Sequence, residues 1–186
     1  MNNCLNFFSW RCLGINTIIY NLALYTYKKE TRFARYVEKL YNRRLQNKSK
    51  DAPVLSRLNH QLFTCPFSHK LLFYQKEFPL YDRQLAKLCF YMKKQLNRSL
   101  NIIDVGANVG DSVVNIGIND AFYLCIEGDY SFSRYLEYNL KKYRHSLERC
   151  LLSDCDEDLP YTLNISNGTG HLVKKDVNIE NTKLIK

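Results

Sequence analysis

Apolar positions recur every three or four residues over the first part of the chain: Ile15, Ile18, Ile19, Leu22 and Tyr25, then Phe33, Tyr36, Val37, Leu40, Tyr41 and Leu45 beyond Thr31. This spacing gathers them on one side of a helix, so residues 15–47 are predicted helical, with basic residues on much of the other side. Gln46–Pro53 (QNKSKDAP) is polar and reads as a linker. Residues 54–80 are aromatic-rich and show no clear period, with Pro66 and Pro79 as breaks, and are expected to be irregular. Asp82 has the side chain of an N-cap for a helix over 83–97, where Leu85, Leu88, Cys89, Met92 and Leu96 share a face.

The pattern then changes. Leu100–Val105 (LNIIDV) is a short apolar run closed by a glycine turn, which predicts a strand. A short helix (111–118), a strand at Phe122–Ile126, a helix at 131–143 and a third strand at Glu148–Leu152 follow. Strand–helix–strand–helix–strand is the first half of a doubly wound parallel sheet, so the fold class expected is α/β and Rossmann-like. The polar tail 160–186 carries an Asn-Gly pair at 167–168 that suits a hairpin. The organisation predicted is a basic helical extension over 1–50, a lead-in segment and helix over 51–99, and a Rossmann-like domain over 100–186.

Charge refines this picture. The net charge of +9 is concentrated in residues 1–50, which hold ten Lys/Arg against two Glu. Between Arg98 and Arg134 there is no Lys or Arg, while Asp104, Asp111, Asp120, Glu127 and Asp129 all fall there. Basicity without a recognition module does not indicate nucleic acid. The basic helices of 1–50 suit peripheral contact with an anionic membrane surface or an acidic glycan, against the plainer reading of a solvated helix face. Cys12–Tyr27 is the longest apolar stretch, but Asn16 and Asn21 interrupt it and it is shorter than the roughly 20 residues a bilayer requires. Seven cysteines without a CxxC pair predict reduced thiols and a cytoplasmic setting. The four histidines lack metal-ligand spacing, so no metal is expected.

The chemistry is concentrated in Asp104-Val-Gly106-Ala107-Asn108-Val-Gly110-Asp111 and in Glu127-Gly128-Asp129 at the end of the next strand. Gly106 and Gly110 permit a sharp turn and close approach of a ligand. A carboxylate at Glu127 is placed to accept from both hydroxyls of a ribose. The dinucleotide pattern GxGxxG and the GK[ST] of a phosphate loop are both missing. An acidic surround repels pyrophosphate and suits S-adenosylmethionine, whose sulfonium and ammonium outnumber its one carboxylate. An NAD-dependent enzyme is the weaker alternative.

IIDVGANVGDS followed by CIEGD resembles the FkbM-type methyltransferases, which use S-adenosylmethionine to methylate hydroxyl groups of sugars and other small metabolites. His69-Lys-Leu-Leu, Pro79-Leu-Tyr-Asp-Arg83, Leu151-Leu-Ser-Asp154 and Asn167-Gly-Thr-Gly-His171 extend the likeness over about residues 65–172. The resemblance implies that Asp104, Gly106, Asn108 and Gly110 form the loop at the methionine end, that Glu127 holds the ribose and that Asp154 neighbours the adenine. Ala107, Asp111, Gly128 and Asp129 complete the expected cofactor-binding set, and the acceptor would be a small molecule or glycan. The family continues into a fourth strand, whereas this sequence ends at Lys186 without one. The first strand is therefore expected to have a bare edge, and a non-catalytic remnant of such an enzyme is the second reading.

Overall fold

A computed structural model describes residues 14–46, 52–152, 161–166 and 169–174. The chain divides into two compact units, Met1–Tyr81 and Asp82–Lys186. The basic helices thus share a unit with the segment that follows them.

In the first unit, the stretch expected to be one long helical region forms two helices: α1, Ile15–Thr26, and α2, Arg32–Leu45. The break has a local cause. Lys28 takes a left-handed backbone (φ 60°), and the Thr31 hydroxyl accepts the Ala34 N–H at 3.0 Å as the N-cap of α2. Both segments are helical, but the side they bury is not the one the apolar spacing predicts: Ile15, Ile18, Leu22, Tyr25, Phe33 and Tyr36 are exposed, while Tyr20, Ala23, Thr26 and Ala34 are buried beside the expected Ile19, Val37 and Tyr41. Residues 54–80, expected to be irregular, instead hold an antiparallel hairpin and a helix. Strands β1 (Pro53–Leu58) and β2 (Gln61–Pro66) pair from Pro53↔Pro66 to Leu58↔Gln61, and α3 spans Leu71–Glu77. The two-residue turn is Asn59-His60, both at positive φ (47° and 63°), which matches the twist of paired strands.

The asparagines that interrupt the apolar stretch tie this unit together. The Asn21 amide donates to the Leu55 carbonyl and accepts from the Ser56 hydroxyl, fixing α1 to β1, and Asn16 accepts from Arg44 of α2. Beneath them Tyr20, Tyr41, Phe67 and Phe73 form a ring cluster with centroids 4.8–6.3 Å apart. The phenol of Tyr20 donates to the His69 carbonyl and that of Tyr41 to the Phe67 carbonyl. Each buried hydroxyl therefore has an acceptor.

The second unit opens with α4, Arg83–Leu96. Asp82 stands at the cap position but makes no side-chain cap bond, because its backbone is left-handed (φ 58°) rather than extended. The expected apolar face of α4 is also not a buried one among the described residues. Cys89 is buried, while Leu85, Leu88, Met92 and Leu96 are exposed.

Three parallel strands follow in the order β3–β4–β5: Asn101–Val105, Phe122–Ile126 and Arg144–Glu148. The crossovers carry α5 (Asp111–Ile116) and α6 (Tyr130–Asn139). Gly117 at φ 68° ends α5 two residues before the expected boundary, since only a residue free of Cβ adopts that angle cheaply. The third strand lies at 144–148 rather than 148–152, and Leu151 makes only an isolated bridge. Among the described strands β3 pairs with β4 alone, and Ile103 and Val105 on it are 66% and 59% exposed. Beyond them β6 (Tyr161–Ser166) and β7 (Thr169–Lys174) pair antiparallel, while the Asn-Gly pair between them lies outside the described residues. The molecule is α/β, and its parallel sheet is compatible with part of a Rossmann-like fold.

Candidate functional site

In a parallel sheet, adjacent strands end side by side, and the chain leaving them forms the crevice in which such folds bind ligands. Val105 and Ile126 are paired, so the Gly106 loop and Glu127 emerge as neighbours. The Asn108 N–H donates to Glu127 Oε2 at 2.8 Å, and the Asp129 N–H donates to Glu127 Oε1 at 2.7 Å. One carboxylate therefore clamps both segments. Glu127 is only 7% exposed, and burial pushes its carboxyl above the ordinary range while the Asp129 and Asn108 N–H groups pull it back. Each oxygen uses one acceptor position on backbone and retains another for a hydroxyl donor.

The loop's own N–H groups are turned inward. Those of Gly106 and Ala107 both donate to the Ile126 carbonyl (2.9 and 3.0 Å), that of Gly110 to the Ala107 carbonyl, and that of Asn108 to Glu127. Phosphate binding by a glycine loop needs such groups aimed at the ligand. Four of them are committed elsewhere.

The glycines divide by role. A Cβ added at Gly106 (φ 73°) would meet no atom within 4 Å, so the loop faces open space there. At Gly110 (φ 83°) it would press on Leu140 at 3.2 Å and Leu136 at 3.4 Å, so this glycine serves the approach of α6 to the loop. Gly128 would collide with the Leu151 side chain and is a packing position as well. Ala107 is fully buried and offers no side chain to a ligand. The Asp129 carboxylate caps α6, accepting from the Phe132 N–H at 2.8 Å and the Ser131 hydroxyl at 2.6 Å. Asp154 lies outside the described residues.

Three more carboxylates meet near α5. Asp104, at the penultimate position of β3, takes a hydrogen bond from Ser112, yet its Oδ2 is buried with no hydrogen-bond partner. Burial raises its carboxyl first and the charge of Asp82 raises it further. Asp111 is pushed up to about 7, chiefly by burial, with Asp82 and Asp104 adding repulsion against the pull of its own N–H. Asp82 stands beside Asn115, which favours its charged form, although burial raises it overall. Asp104 and Asp111 were legible in the motif; Asp82, Ser112 and Asn115 as members of the cluster were not.

This set suits a cationic ligand. Buried like charges repel one another and an orphaned carboxylate oxygen is costly, so a positive group arriving there is stabilised. A pyrophosphate would meet four carboxylates and few free donors. Among the described residues no group of His, Cys, Asp and Glu could hold a metal ion, and no helix is long and apolar enough to cross a membrane. Cys65, Cys89, Cys125 and Cys150 are buried. Compared with protein-family models, with curated proteins and with solved structures, the chain matches none.

Proposed function

We propose that the chain binds S-adenosylmethionine at the ends of β3 and β4 and that its function is methyl transfer to an oxygen of a sugar, glycan precursor or other small metabolite. The observation that carries the binding reading is the clamp of Glu127 on the Asn108 N–H, which joins the glycine loop to a ribose-competent carboxylate. Gly106 opens the loop to the ligand, Glu127 accepts from the ribose hydroxyls, and Asp104 and Asp111 face the positive methionine end. When bound, the cofactor supplies a methyl group already activated by its sulfonium. What the protein adds is alignment and exclusion of water. The oxygen acceptor rests on the FkbM-type resemblance alone.

Calorimetric titration with S-adenosylhomocysteine tests the binding reading. Wild-type chain should bind in the micromolar range, and Glu127→Gln, which keeps the side-chain shape, should weaken binding about tenfold or more, the cost of losing a charged acceptor. A folded wild-type chain without measurable binding would overturn it. The exposed Ile103 and Val105 and the edge of β3, unpaired among the described strands, favour a second reading, a non-catalytic relative of such enzymes. Methylation assays on hydroxyl acceptors by a chain that binds the cofactor separate the two.

A further inference from the structure

Asp82 is the one member of the acidic cluster that comes from outside the glycine motif. It precedes α4, and its residue type suggests a helix cap, but it makes no such bond and sits at φ 58°. A non-glycine residue in that region is uncommon, and without capping the side chain has no local task. Its carboxylate lies instead beside Asn115 of α5, on the same helix as Asp111 and Ser112. Residues 111, 112 and 115 are three and four apart, so they share one side of α5. Asp104 reaches that side through Ser112. Three elements thus deliver three carboxylates to one helix face, and within this group the Asp104 Oδ2 is buried without a partner.

We propose that Asp82 is a ligand-binding carboxylate of this site, which takes the α-ammonium group of the amino-acid end of the cofactor together with Asp104. The inference rests on the cofactor reading above and deepens it. The sequence offers no competing internal cation from Ser99 to Ser133. Glu127 is committed to the other end of the ligand by its clamp on the loop. An ammonium has three donors and needs acceptors from more than one direction, which the turn before α4 and the end of β3 provide. The repulsion that raises Asp104 and Asp111 is relieved when that positive group arrives.

The test uses the full chain and three ligands: S-adenosylhomocysteine, its N-acetyl derivative, which lacks the positive charge, and 5′-methylthioadenosine, which lacks the amino-acid end. Asp82→Asn is the variant, because asparagine tolerates the left-handed backbone and preserves shape. Wild-type chain should bind S-adenosylhomocysteine about tenfold more tightly than the N-acetyl derivative. In D82N that preference should fall to about twofold or less, with methylthioadenosine affinity unchanged. Equal wild-type affinity for the charged and acetylated ligands overturns the proposal without need of the variant. So does a preference that survives in D82N. Methylthioadenosine binding in those cases leaves the nucleoside reading standing, whereas no binding of any of the three ligands removes both.

Discussion

The aromatic core of the first unit and the acidic site of the second bury polar groups in opposite ways. Around Tyr20 and Tyr41 every buried phenol donates to a carbonyl, and burial raises both groups so that they stay neutral. Around Asp104 and Asp111 the buried groups are acids raised by burial and by one another, and one oxygen lacks a partner. A satisfied polar group in a packed core costs little, whereas like charges gathered in a confined space oppose folding. The first arrangement suits stability. The second is the kind expected where a ligand supplies what the protein lacks, since binding to the folded state alone stabilises it.

The largest expected effect is in the aromatic cluster. Phe67 is fully buried and meets Tyr41 at 4.8 Å and Tyr20 at 6.0 Å between centroids. Phe67→Ala should lower the unfolding free energy by about 3–5 kcal/mol, read as a fall in denaturant midpoint with loss of near-ultraviolet circular dichroism. A cost below about 1 kcal/mol would mean the rings are not the core of their unit.

Asp111→Asn should move stability the other way. With its carboxyl raised from an ordinary 3.8 to about 7, the folded state holds a proton that the unfolded chain has released. Between those values folding takes up a proton, so stability falls as pH rises through the window and levels off above it. Removing the acid should therefore stabilise the free protein at about pH 8 by on the order of 2–4 kcal/mol and change little near pH 4. The same variant should bind S-adenosylhomocysteine more weakly. Destabilisation at pH 8 would show that Asp111 is held by favourable contacts, and the contrast between the two regions would fail.

How far these regions could be read from sequence depended on which physical signal each used. Strand β4 was legible residue for residue, because an apolar run between turn signals is what a central parallel strand requires. Strand β5 was not. Arg144-His-Ser-Leu-Glu148 lies at the edge of the sheet among the described strands and is only partly buried, so no apolar run marks it. The β1–β2 hairpin was missed because its turn is Asn59-His60, without the glycine that usually betrays one; the asparagine was the available clue. In the site, motif spacing found the Gly106 loop and Glu127, which the structure brings within one hydrogen bond. It could not tell the open Gly106 from Gly110, which is packed on Leu140, since that depends on a helix brought in from later in the chain. Asp129 shows a second signal beside its place in the motif: an aspartate just before a helix is a cap pattern, and its carboxylate accepts from the Phe132 N–H. Asp82 misleads instead, a capping residue type on a backbone that does not cap.

The smallest effect probes how completely the first unit meets its hydrogen-bonding needs. Tyr20→Phe keeps the ring and its edge contacts with Phe67 and Phe73 but removes the donor to the His69 carbonyl, a bond of 2.9 Å in a fully buried setting. Loss of one neutral hydrogen bond in a buried setting should cost about 1–2 kcal/mol, measurable as a shift in denaturant midpoint at constant slope. No shift would mean that the phenol is bystander to ring packing, and the satisfied core would differ from the acidic site only in charge. A loss above about 3 kcal/mol would mean that the hydroxyl anchors more than that one carbonyl, with the Cys65 thiol at 3.8 Å the first group to examine by a double-mutant cycle.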